Sequence, residues 1–217
     1  MNKLFNKTFG LKHHNEYCSG IFSDELDKLG FKNQVIDGFK LNAKSSRIFG
    51  RLRTLEIEEI KTNDENIKLG LGFLSQLKEG EVLFVKGSNE FAYFGELMSR
   101  LSEEVGIEGV VINGKTRDTF YTQNIELPIF CKGYTSRDIK GRGRVKNVDS
   151  TLKIENIDVK SGDYIFGDND SIVIIPFEII DKLVKVVQEA VLEEAEIKEK
   201  LAKGISISEI LKSHKSF

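Results

Sequence analysis

Two short stretches carry the residue types from which a site for a small acid can be built. Gly95-Glu96-Leu97-Met98 opens an amphipathic run, and Arg117-Asp118 follows a second, apolar one. A helix start presents unpaired backbone N–H groups and the positive end of its dipole, which suits a carboxylate or a phosphate. Gly95 has no Cβ to block an anion approaching those amides. Arg117 offers a planar fork of donors to a carboxylate. Asp118 is a hard oxygen ligand for a magnesium-type cation that keeps most of its waters. An anion clamp beside a metal ligand is chemistry for a 2-oxo acid. On spacing alone, Glu96 also reads as a solvated first-turn acid and Arg117-Asp118 as turn charges.

The flanking pattern predicts the elements that position these residues. Val82, Leu83, Phe84 and Val85, between Lys78-Glu79-Gly80 and Gly87, predict a short buried strand. Leu97, Met98, Leu101 and Val105 fall on one helical face, and Gly106 ends that helix. Val110 to Ile112 predict a second strand stopping at the turn signal Asn113-Gly114. Strand, helix and strand of these lengths make a parallel crossover.

Gly-Glu-Leu at 95–97, with Gly-Val-Val-Ile-x-Gly-x-x-Arg-Asp at 109–118, resembles the RraA-like family. That family includes class II (metal-dependent) 4-hydroxy-4-methyl-2-oxoglutarate aldolases and the regulator of ribonuclease activity A. Ser23 to Asp27, Gly50 to Thr54, Pro128 to Phe130, Gly162 to Asp170 and Ile172 to Pro176 are similar to further family segments. The resemblance covers roughly residues 18 to 211. It implies an α/β fold with three-layer β/β/α swivelling-domain architecture, assembled as a trimer or a pair of trimers. It also implies Mg²⁺ or Mn²⁺ on Asp118, with Arg117 and the amides of Gly95, Glu96, Leu97 and Met98 around the pyruvyl end of a substrate. Arg117 and Glu96 are then the catalytic candidates, and Glu196 or Glu199 the C-terminal acid that reaches a neighbouring subunit's site. Two positions depart from the family: Asn113 stands where Asp is usual, and Ser171 where a turn glycine is usual.

Composition bounds the rest. With 217 residues, 40% hydrophobic and 30% charged, the chain can bury a core and stay in solution. A net charge of -2 gives no electrostatic reason to expect nucleic acid. Cys18 and Cys131 are no disulfide framework, which fits a reduced, cytoplasmic setting. The opening MNKLFNKTFGLKHH lacks the apolar run of a signal peptide or a membrane span.

In chain order, a single domain over 1–217 is expected, with a polar, basic lead-in at 1–17 and a helical extension at 177–217. His13-His14 reads as a solvated pair. Ser23 is an N-cap signal. Phe39 to Ile60 predicts two strands, with Gly50 at a bend or close approach. Arg47, Arg51 and Arg53 share one face, read as solvated, with one of them a candidate for the pocket wall. Asn66 to Lys78 predicts a helix. Ile125 to Phe130 predicts a strand containing Pro128. The basic run Arg137 to Arg144 reads as a loop bordering the pocket. Its own Arg137-Asp138 pair is set aside, because no buried strand ends immediately before it. Gly162-Asp163 and Asp168-Asn169-Asp170 read as hairpin turns rather than a calcium loop. Ile180, Leu183, Val184, Val187, Val191 and Leu192 form a stripe that suits either a neighbouring subunit or the chain's own core.

The expected function is a metal-dependent lyase that cleaves 4-hydroxy-2-oxo acids to pyruvate, with oxaloacetate decarboxylation as a second activity. No motif places a lysine for Schiff-base chemistry. A ribonuclease-regulator-like binding protein and an enzyme for another small acid or sugar acid are the rivals. The long C-terminal helix reads in favour of the enzyme branch.

Overall fold

Side chains alternate across Ile48–Glu59, and the two faces they define organise the core. The computed structural model describes residues 3–10, 13–42, 47–64 and 66–213. The elements are α1 (Lys3–Phe9), α2 (Ser19–Lys28), β1 (Val35–Ile36), β2 (Lys40–Leu41), β3 (Ile48–Glu59), α3 (Ile67–Leu74), β4 (Glu81–Lys86), β5 (Ala92–Phe94), α4 (Glu96–Val105) and β6 (Gly109–Thr116). They continue with α5 (Thr119–Thr122), β7 (Ile129–Tyr134), β8 (Gly143–Val148), β9 (Leu152–Ile154), β10 (Ile157–Val159), β11 (Tyr164–Gly167), β12 (Ile172–Ile175), α6 (Ile180–Ala202) and α7 (Ile207–Ser213).

The main sheet runs β1-β12-β11-β3-β4-β6-β7-β2, with β5 beside β6 and β8 beside β3. Its centre, β3-β4-β6-β7, is parallel. The strands that extend it on either side, β11, β12, β1 and β2, pair antiparallel. On one face Leu52, Val82, Phe84, Val111 and Phe130 bury against Leu152, Ile154, Ile157 and Val159 of the β9–β10 hairpin. On the other, Leu55, Leu83, Val85 and Ile112 meet Phe73 and Leu74 of α3 and Met98 of α4. Further along that face Phe49, Phe166, Val173 and Ile175 meet Phe5, Phe22, Leu26, Leu183 and Val187 of α1, α2 and α6. The layers are therefore hairpin, sheet and helices, and the C-terminal stripe closes the chain's own core.

Several boundaries differ from the expectations. β6 continues through Asn113-Gly114 to Thr116. Gly114 is there for space, because a Cβ would lie 2.6 Å from the Ser88 nitrogen and 2.7 Å from its oxygen. β3 is one continuous strand, and Gly50 marks a close approach: its Cβ would lie 2.6 Å from Val82 Cγ2. β7 starts just after Pro128 instead of containing it. α3 ends at Leu74, four residues short of the expected limit. α2 begins at Ser19, not Ser23, because the Asp168 carboxylate accepts both the Ser19 N–H and its hydroxyl at 2.8 Å.

The lead-in is not a polar arm: Phe5, Phe9 and Tyr17 are buried, while positions 1–2 and 11–12 lie outside the described residues. Nor are the three arginines simply solvated. Arg47 lies over the Phe5 ring, Arg51 over Phe177, and Arg53 forms a two-pronged pair with Asp149. Among the described residues no helix is long and apolar enough to cross a membrane.

Candidate active site at the carboxyl ends of three strands

β5 and β6 run parallel with Ala92 opposite Lys115, so their carboxyl ends lie side by side. Open α/β sheets offer ligand crevices at that edge. Gly95 follows β5, and Arg117-Asp118 follows β6. The Arg117 N–H donates to the Phe94 carbonyl at 3.1 Å and fastens one strand end to the other.

Asp118 sits in left-handed backbone (φ 58, ψ 46), which turns its side chain back onto α4. Its Oδ2 accepts the backbone N–H of Glu96 at 3.0 Å. Gly95, the residue at the N-cap position of α4, makes no side-chain cap, so Asp118 takes that role from across the crossover. Arg117 Nε lies 3.5 Å from the same Oδ2. The glycine is required for space: its φ of -159 is ordinary extended backbone. A Cβ there would meet Asp118 Oδ2 at 2.3 Å and Arg117 Cγ at 2.9 Å.

Glu96 points outward. Arg100, one turn on, holds its Oε1 through Nε at 2.9 Å and Nη2 at 2.8 Å. The Arg100 guanidinium lies 4.3 Å from the Tyr121 ring centroid, and the Tyr121 hydroxyl donates to Glu103 at 2.7 Å. That hydrogen bond holds the Tyr121 hydroxyl above its usual range. Of the expected amide rim, Met98 turns its side chain into the core whereas Leu97 is 80% exposed. The buried side of the helix is Met98, Ser99 and Ser102, so Leu97 belongs to its outer face.

One residue at the site was passed over in the sequence. Asp138 Oδ1 lies 3.3 Å from Arg117 Nη1. The loop after β7 carries it there through a single parallel bridge between Asp138 and Ala92, supported by the Ala92 N–H donating to the Arg137 carbonyl at 2.9 Å. The repeated Arg-Asp pair was a usable signal. No buried strand ends immediately before the pair, and β7 indeed stops at Tyr134, so the strand-end pattern that marks Arg117-Asp118 does not mark Asp138. Asn113 lies inside β6, paired with Lys86 of β4, and its carbonyl accepts the Gly87 N–H at 3.0 Å. Glu196 and Glu199 pair with Lys200 and Lys203 along α6, whose packing partners include α1, α2 and α7.

The donor set fits a magnesium-type ion. Oδ2 of Asp118 is engaged, while Oδ1 makes no contact among the described residues. Those residues contain no group of three or more His, Cys, Asp or Glu side chains that could hold a metal. A cation on Oδ1 would therefore take most of its ligands from water and substrate, which Mg²⁺ tolerates and a structural zinc does not. Glu96, Asp118 and Asp138 against Arg100 and Arg117 leave the cluster one negative charge in excess.

Leu97 on α4 and Phe120 on α5 (94% exposed) are exposed apolar side chains on the two helices that follow the site turns. The clefts of about 490 Å³ between α2 and α6 and about 500 Å³ between α1 and α6 lie elsewhere.

Comparison with known proteins places the chain as a whole. The RraA-like (Aldolase/RraA) profile matches residues 21–174. A 4-hydroxy-4-methyl-2-oxoglutarate aldolase of Thermus thermophilus is 29% identical over 140 residues, 64% of this chain and 81% of that one. A Bacillus cereus protein, which carries the same name provisionally, is 30% identical over 149 residues, 66% of this chain and 89% of its own. Among solved structures, Streptomyces coelicolor RraAS2, described as an unusual member of the RNase ES inhibitor RraA family, superposes with a TM-score of 0.77 at 20% identity. That likeness covers 91% of this chain and 97% of RraAS2 and shows the shared fold. By the extent of the profile match and the shared fold, the chain belongs to the RraA-like family.

Proposed function

We propose that the protein is a divalent-metal-dependent lyase that cleaves 4-hydroxy-2-oxo acids to pyruvate and a second carbonyl compound, with oxaloacetate decarboxylation as a side activity. The observation that carries this reading is the Arg117-Asp118 pair fixed against the start of α4, with Oδ1 of Asp118 open. The aldolase names of the relatives support it.

Electrostatics support the metal requirement. A cluster with one excess negative charge repels an anionic substrate, and adding a divalent cation reverses the sign. Asp118 would hold Mg²⁺ or Mn²⁺ through Oδ1, and the bound cation would supply Lewis-acid polarisation of the 2-oxo group. Arg117 grips the carboxylate at the same end of the substrate. The amides of Leu97 and Met98 face it from the helix start, since that of Glu96 is already used by Asp118. Because Glu96 points outward with Oε1 held by Arg100, it accepts the C4 hydroxyl proton through a bridging water on Oε2. The C4 carbonyl then forms, the C3–C4 bond breaks, and its electron pair passes to the 2-oxo oxygen as an enolate stabilised by Arg117. Protonation at C3 gives pyruvate. Oxaloacetate loses CO₂ to the same enolate.

The test is pyruvate release from a panel of 4-hydroxy-2-oxo acids and oxaloacetate, with Mg²⁺, Mn²⁺ or chelator. Metal-stimulated release supports the reading, and no release from any member under any metal overturns it. A second reading, a regulatory binding protein, draws on the exposed Leu97 and Phe120 of α4 and α5. It expects metal-independent partner binding without turnover. The same two side chains suit a subunit contact, and a homotrimer or hexamer is the assembly proposed; sedimentation of Phe120→Ser toward monomer checks it.

A further inference from the structure

We propose that Asp138 is a positioning residue for Arg117: it fixes the guanidinium so that the Nη2 edge is the one offered to substrate. The inference rests on the lyase reading above and assigns a residue to it. Arg117 is held at two points. Nε lies 3.5 Å from Asp118 Oδ2, and Nη1 lies 3.3 Å from Asp138 Oδ1. The two carboxylates approach different nitrogens of one planar group, so they fix its rotation as well as its place. Among the described residues that leaves Nη2 without a partner, beside the Nη1 that Asp138 holds, and the two nitrogens present neighbouring donors that match one carboxylate.

Asp138 is itself built in. It is bridged to Ala92, three residues before the site glycine. The Arg137 carbonyl accepts the Ala92 N–H at 2.9 Å, and Arg142 Nη1 donates to the Asp138 carbonyl at 3.0 Å. The loop after β7 is thereby tied to the same strand, β5, that delivers Gly95. Three strand ends converge on one guanidinium, and β7 contributes through Asp138.

Two effects of this carboxylate on an anionic substrate oppose each other. Its charge repels the substrate, while its ion pair with the guanidinium orients the residue that binds it. Asp138→Asn removes the charge and keeps an acceptor oxygen, whereas Asp138→Ala removes both. Positioning predicts that the two variants separate.

The experiment measures oxalate binding by calorimetry in saturating Mg²⁺, together with kcat and KM for pyruvate release. Asp138→Ala should weaken oxalate and raise KM about tenfold, with kcat changed less than threefold. Asp138→Asn should stay within about threefold of wild type. In an Arg117→Ala background, Asp138→Ala should add no further loss, since the residue acts through Arg117. The inference is overturned if Asp138→Ala binds oxalate as wild type does, if Asn and Ala shift binding equally, or if the Ala penalty persists undiminished without Arg117. Should Asp138→Ala fail to fold, comparing Asp138→Asn with Asp138→Ser decides the same point. Wild-type protein that neither binds oxalate with Mg²⁺ nor releases pyruvate overturns the lyase reading and this inference together. Normal wild-type behaviour with an indifferent Asp138→Ala overturns the inference alone.

Discussion

The carboxylate of Asp118 accepts the backbone N–H of Glu96 at 3.0 Å across the crossover. The proposed metal ligand is thus also the cap of the helix that begins at the site. A turn aspartate outside the core would be expected to matter little to folding, but this one satisfies a helix donor that Gly95 cannot.

Asp118→Ala should therefore do two things. Divalent-cation-dependent turnover should vanish, and loss of the cap should cost about 1 kcal/mol, lowering Tm by roughly 2–4 °C. Asp118→Asn keeps an acceptor for the Glu96 amide, so it should hold its Tm while losing the metal response. Thermal melts and assays across a Mg²⁺ titration check both, and normal metal-dependent turnover in either variant rejects the ligand assignment.

Arg117→Lys separates a clamp from a structural charge. A lysine ammonium cannot reach Asp118, Asp138 and a substrate carboxylate with a fixed fork. Loss of one charge-assisted hydrogen bond, about 1.5–3 kcal/mol, should lower kcat/KM by roughly tenfold to a hundredfold. Lysine keeps a positive charge beside Asp118 and Asp138, so Tm should move little. Oxalate with Mg²⁺ should protect wild type against heat and the variant much less. An Arg117→Lys protein that unfolds, or that binds oxalate as tightly as wild type, makes Arg117 structural.

Gly95→Ala tests the space between strand and site. The new methyl would stand 2.3 Å from Asp118 Oδ2, so the carboxylate must swing away from the Glu96 amide. Overpacking of this kind costs about 1–3 kcal/mol. Turnover should fall by at least an order of magnitude while the overall fold persists by circular dichroism. Unchanged kcat/KM would show that the Asp118 position is not required.

Away from the site, pH reports on Arg53 and Asp149. The hydrogen bond from Arg53 is the main cause that holds the Asp149 carboxyl below its ordinary value of 3.8. A carboxylate with a lowered folded pKa stabilises the fold fully above its unfolded value, and that stabilisation is lost as pH falls through the folded one. Asp149 has φ 50, a conformation asparagine also accepts, so Asp149→Asn perturbs charge more than backbone. The gap in urea midpoint between wild type and this variant should hold down to about pH 4 and close below it. A gap that widens on acidification would assign the stabilisation elsewhere.

The site was legible in the sequence where local pattern decides. Four consecutive apolar residues mark β4, and Gly106 ends α4 with φ 79, the left-handed geometry that glycine enters freely. Gly95 reads as the start of α4, and Arg117-Asp118 as following the second strand, although that strand runs to Thr116 and not to Asn113-Gly114. Asp138 is not legible in this way, because its place depends on one bridge to Ala92 after β7 has ended. Asn113-Gly114 misled for a related reason. The pair has the composition of a turn, yet Gly114 is needed only because Ser88 crosses it, a fact about another part of the chain. The burial of Phe5 and Phe9 was equally hidden, since their covering rings include Phe49 and Phe166.

The bond between Ser19 and Asp168 spans 149 residues, and it sets an order on biosynthesis. α2 leaves the ribosome long before its cap exists. Phe22 stacks on Phe166 at 4.2 Å between ring centroids, so its cover also arrives late. At about 5–20 residues per second, that wait is on the order of ten seconds or more. During it Phe22 lacks the ring that stacks on it and Ser19 the carboxylate that it donates to, and the emergence of the β11–β12 turn brings that interval to an end.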